Sequence, residues 1–268
     1  MSERHEVISK LDEAGVLAGI RWAYESATDR VLDDYSEAAG HNAHWVGNTR
    51  WVLFCDRLDR VFSCGKYEVP VGGDKQANLD LVFGELPKRD IDTLPDLAPE
   101  LVRTANLNGS PGWAYGDVRW LLSSAPYGKL KTMSWEQKSE TKQLVAQQPS
   151  EDSDEPTLFE EFGELDMPFP AKDVDVVSPL DLRTFIVGHT IDVVGGGREL
   201  VLGQPRQKAA QESSWHWMHD LLEGPGGAGG RFQPGKPVLV GPDTTPDAPV
   251  KLRRRDTGTG ADRKGQVS

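Results

Sequence analysis

The stretch TFIVGHTIDVVGGGRELVLG, residues 184–203, reads as two strands around a Gly195–Gly197 turn. Phe185, Val187, Ile191 and Val193 recur at every second position, and His189 lies on the same apolar face. A hairpin here commits the chain to an antiparallel sheet. Downstream, Trp215–Leu222 (WHWMHDLL) is read as a helix that completes this unit. Residues 178–223 are few for an independent core, so the hairpin-plus-helix unit is expected to pack back on what precedes it.

Working towards the N-terminus, WVLFCDRLDRVFSCGKY (residues 51–67) gives a second hairpin, with Trp51–Cys55 and Arg60–Cys64 flanking Asp56–Asp59. In that register Cys55 faces Arg60 and Cys64 faces Trp51, which predicts two thiols that do not meet. Two helices come earlier. One spans residues 3–14, with Val7, Ile8 and Leu11 on one face. The other spans 17–39, with Ile20, Ala23, Ala27, Val31 and Tyr35 in line and Gly40 as a stop. Leu79, Leu81 and Phe83 alternate as in a strand. Short helices are expected around Pro99–Thr104 and Asp117–Ser123. A longer one starts at Ser134, where Ser134 and Gln137 have capping-box spacing, and ends at Pro149.

The predicted fold class is therefore α+β, with N-terminal helices packed on a mostly antiparallel sheet. Four segments follow: an α+β domain over residues 1–149, an acidic linker over 150–177, the unit at 178–223, and a disordered Gly/Pro-rich and basic tail over 224–268.

The linker contains EDSDEPTLFEEFGELD, residues 151–166, with eight carboxylates and no base. Like charges at this density repel, and so little apolar surface does not offset chain entropy. Leu158, Phe159 and Phe162 form an apolar knot on this negative string. Such a segment suits docking into an apolar groove rimmed by basic residues, which makes these three the candidate partner-binding residues, or equally a linker that tacks onto its own domain.

The net charge of −12 argues against long-range attraction to nucleic acid or anionic membrane, so strong direct DNA binding is not expected. Lys251, Arg253, Arg254, Arg255, Arg263 and Lys264 make the tail basic, and it is read as a solubilising end. No apolar run approaches the roughly 20 residues of a membrane span, and MSERHEVISK lacks a signal-peptide core. The expected location is the cytoplasm.

Four histidines provide the main catalytic alternative. His41 and His44 are three apart, as are His216 and His219, so on helices each pair has spacing for one metal ion. That would make a metal-dependent hydrolase or nuclease. The pattern lacks the glutamate of HExxH, and flanking Trp45, Trp215 and Trp217 suit buried imidazoles instead. His189 reads as a hydrogen-bonded core histidine. Asp117, Glu136 and Lys138 are a further possible magnesium set, at a spacing common by chance. VVGGGREL lacks the lysine of a phosphate-binding loop, and no cofactor is expected.

The stretches HNAHWVGNTRWVLFCDRLDRVFSCGKY, LNGSPGWA and SWHWMHDLL resemble the recombination directionality factors that partner large serine integrases of actinophages. The likeness covers most of residues 40–222. It implies a non-enzymatic protein that binds an integrase already on DNA and switches it from integration to excision.

Overall fold

The computed structural model describes residues 2–68, 75–150, 180–207 and 213–223. The acidic stretch with Leu158, Phe159 and Phe162 lies outside the described residues, as does the tail from 224.

Helix α1 (Glu3–Glu13) starts where the Ser2 side chain accepts from the His5 amide, with Glu3 and Glu6 favouring its positive end. Gly15, at φ 74°, turns the chain into α2 (Val16–Asp34). That helix ends at Asp34, short of Gly40, because Tyr35 is extended and residues 36–41 close their own turn.

The first predicted hairpin is instead one long helix, α3 (Ala43–Val61). Asn42 caps it by accepting from the Trp45 amide at 3.0 Å. Its buried positions, Val46, Arg50, Phe54, Leu58 and Val61, keep helical spacing across the supposed turn. Cys55 and Cys64 are both free thiols, one on α3 and one beyond its end. Residues 79–83 likewise belong to a helix, α4 (Lys75–Phe83), followed by the short α5 (Lys88–Asp92).

Strands β1 (Arg103–Thr104), β2 (Gly112–Tyr115) and β3 (Val118–Ser124) come next, so the two helices predicted near 99–104 and 117–123 are corrected to strands. Gly116, at φ 59°, makes the turn between β2 and β3. Helix α6 (Glu140–Ala146) begins after Ser139, later than the Ser134 start. The hairpin at 184–203 is present as β4 (Arg183–Ile191) and β5 (Arg198–Pro205). Trp215–Asp220 is strand β6, which corrects the predicted C-terminal helix: Trp215 and Trp217 are buried while His216 and Met218 are less so, a two-residue period.

The six strands form one sheet in chain order. All neighbours are antiparallel except β3 and β4, which run parallel in its middle, from Val118↔Arg183 to Ser124↔His189. The segment after 178 therefore completes the sheet of the N-terminal part rather than forming a separate unit. One face carries Val118, Trp120, Leu122, Phe185 and Val187 against α1–α3. The other carries Leu121, Ile186 and Val201 against Trp135, Val145 and Trp215.

Candidate functional site

The four histidines do not form a metal set. His41 precedes α3, lies flat on Trp45 at 3.9 Å, and its Nδ1 accepts from the Ser36 amide at 3.1 Å. His44 is exposed on the first turn of α3. His216 and His219 sit on β6, where residues three apart point to opposite faces. Among the described residues no group of three metal-ligating side chains occurs. The second set separates as well. Asp117 pairs with Lys10 and Arg183, whereas Lys138 donates to the Ser124 carbonyl at 2.6 Å. Those anchor points stand at opposite ends of β3, roughly 23 Å apart at the usual strand rise.

The residues that do converge were hidden by the hairpin reading. On α3, Asp56 receives Arg57 at 2.6 Å and Arg60 at 2.8 Å through one oxygen. Lys66 and the Tyr67 hydroxyl, both at 2.7 Å, meet the other. Burial pushes the Asp56 carboxyl up, but the hydrogen bonds from Lys66, Tyr67 and Arg60 outweigh it and bring it down to about 2. Asp56 is thus a fixed anion. Arg60 also donates to the Val82 and Gly84 carbonyls at 2.6 and 2.8 Å, placing a cation on the negative end of α4. One turn on, Asp59 accepts from Trp113 Nε1 at 2.9 Å, and burial holds its carboxyl above the usual range. Arg57 Nε donates to Ser26 Oγ at 2.9 Å, tying α3 to α2.

These groups line a cleft of about 520 Å³ with Arg30, Lys66 and Glu85 at its edge. Val52 forms part of the rim. It is 51 % exposed, and its neighbour Trp51 is 38 % exposed. A rigid helix thus presents an indole and an isopropyl group to solvent beside a cleft lined by ion pairs. A smaller cavity of about 270 Å³, lined by Val61, Val82, Ile91 and Leu94, lies behind Arg60.

The nucleophiles here are quiet. Burial and the nearby Asp59 push both Cys55 and Cys64 up to about 12, so neither is a thiolate at neutral pH. His189 is core, as expected, but neither ring nitrogen has a hydrogen-bond partner. Its basicity falls well below the ordinary value through burial and the nearby cations of Arg50, Lys142 and Lys138.

No protein-family model matches the chain, and searches of curated proteins and of solved structures return no match. Among the described residues no helix is long and apolar enough to cross a membrane.

Proposed function

We propose that this protein is a non-enzymatic accessory factor of phage or mobile-element DNA transactions, acting in the cytoplasm by contact with a serine integrase on DNA. The observation that carries this reading is the exposed Trp51–Val52 pair on a helix anchored at Asp56. Tryptophan on a rigid support is among the side chains that dominate protein interfaces. A net charge of −12 complements a basic DNA enzyme and speeds encounter with it. The likeness to recombination directionality factors supplies the partner class and the direction of the switch. A differential affinity of a few kcal/mol for one integrase conformation is sufficient to reverse the favoured reaction.

The knot at Leu158, Phe159 and Phe162 is a second docking segment in this reading, supported by its sequence. The test is a gel shift of an integrase–DNA complex with the purified protein. The wild type is expected to add a slower band, and Trp51→Ala with Val52→Ala to weaken it by about 2 kcal/mol. DNA alone is expected to show no shift at physiological salt. An integrase complex that ignores the wild-type protein would remove this function.

A further inference from the structure

The cavity of about 270 Å³ behind Arg60 is bounded by the end of α3, by α4, by α5 and by residues 94–99. Val61, Leu79, Val82, Phe83, Ile91 and Leu94 give it an apolar wall. Val61 and Val82 are buried, but the other four are half-buried, so the wall keeps apolar surface towards open space. Such a hollow, mostly apolar and with few polar groups, is the usual form of a small-molecule site.

Two polar side chains interrupt this wall. Arg60, 9 % exposed, spends Nε on Asp56 and Nη1 on the Leu81, Val82 and Gly84 carbonyls. The Tyr67 ring lies 4.7 Å from the guanidinium carbon and helps to fix its plane. Nη2 has no acceptor among the described residues, yet it is not sealed from solvent. Ser63 follows the end of α3 at φ 49°, a left-handed conformation that a serine rarely adopts. Its hydroxyl makes no hydrogen bond among the described residues. The charge balance favours an anion: Arg57, Arg60 and Lys66 share Asp56, and with the half-buried Asp59 counted the cluster keeps one net positive charge. Glu85, at the neighbouring cleft, and Asp96, at this cavity, are exposed carboxylates that water screens.

We propose that this cavity binds a small apolar monocarboxylate, with its head on Arg60 Nη2 and the Ser63 hydroxyl and its hydrocarbon body against the wall of α4 and α5. A charge-assisted hydrogen bond from arginine to a carboxylate is stronger than a neutral one, which selects an acid over an alcohol or amide of the same shape. Volume sets the size. An apolar cavity of about 150 Å³ takes benzene, so about 270 Å³ takes about ten heavy atoms, the size of octanoate.

The test uses the full chain and titrates sodium octanoate, below its micelle range, by calorimetry with thermal melting in parallel. Sodium acetate, which has the head without the body, and 1-octanol, which has the body without the charge, are the controls. Octanoate is expected to bind saturably and to raise the melting temperature. Acetate is expected to do neither, and octanol to bind about tenfold more weakly. Leu94→Trp fills the cavity from its half-buried wall and is expected to weaken octanoate by about tenfold or more. Ile91→Phe is a smaller filling and the second variant; a cooperative melt without ligand shows that each still folds. Val194→Trp, at an 83 % exposed position between β4 and β5, is expected to leave binding unchanged, which separates the cavity from surface adsorption. The proposal is overturned if octanoate does no more than acetate, if octanol binds as tightly as octanoate, or if both filled variants bind octanoate as the wild type does.

Discussion

Helix α3 carries two charged regions that are handled in opposite ways. Towards its C-terminal end, Asp56 collects Arg57, Arg60 and Lys66 and spends both oxygens on them. Two turns earlier, Arg50 lies buried beside His189, with Lys138 and Lys142 close enough to depress the imidazole and no carboxylate among the described residues paired with any of them. A satisfied network fixes α3 against α2 and α4, whereas an unsatisfied one adds nothing to stability. Burial without a counter-charge makes the second arrangement a cost to the fold.

The contrast can be broken most forcefully at Asp56. Asp56→Asn leaves three cations around a neutral amide, and removing one partner of a buried pair destabilises by about 3 kcal/mol. A urea melt with an unchanged midpoint would show that the network is decorative. A gentler version uses acid. The folded Asp56 carboxyl sits near 2, below its unfolded value of 3.8. Its stabilisation is therefore full above the unfolded value and fades as pH falls from about 4 towards 2. The wild-type advantage over Asp56→Asn should shrink by about 2 kcal/mol across that window.

The other region predicts the reverse sign. His189→Leu removes a buried imidazole with no partner and should stabilise by about 1 kcal/mol. A loss of stability would mean that the ring has a hydrogen-bonded role in the fold. Smallest of all, Leu158, Phe159 and Phe162 replaced together by alanine should leave the melting temperature unchanged, within about 0.5 kcal/mol, because the sequence places them in a charged linker. A larger fall would assign them to a packed core.

Of the sheet, only the β4–β5 hairpin was legible, because Gly195–Gly197 marked its turn. Phe185 and Val187 do line the face towards α1–α3, although β4 is buried on both sides. The failures share a cause. In WVLFCDRLDRVF the apolar residues Trp51–Cys55 and Val61–Phe62 flank a charged centre, and a short window takes the first run for a strand. The charged centre looks like a turn, although Asp56 and Arg60 are also an i, i+4 ion pair that only a helix brings together. Trp120 and Leu122 reversed the error, since β3 is buried on both faces and offers no alternation to read. Trp215–Leu222 was read as a helix, whereas Trp215 and Trp217 alternate in burial with His216 and Met218 as a strand. That misreading supplied one of the two histidine pairs of the metal hypothesis.

The candidate site was legible only in part. Trp51 was visible as an aromatic but was assigned to a strand, where its exposure had no meaning. Arg50 carried no signal at all, because nothing local announces that an arginine will be swallowed by the core. His189 was placed correctly on its apolar face. Its missing partners depend on how Tyr24 of α2 and Phe54 of α3 pack around it, which is a property of the tertiary fold.

The parallel pairing of β3 with β4 has a consequence for how the molecule comes into being. Until residues 183–189 emerge from the ribosome, β3 is the bare margin of a three-stranded fragment, with Trp120 and Leu122 lacking half their cover. Closure between segments so distant along the chain is slow. The nascent polypeptide therefore carries an open strand edge until the later segment arrives.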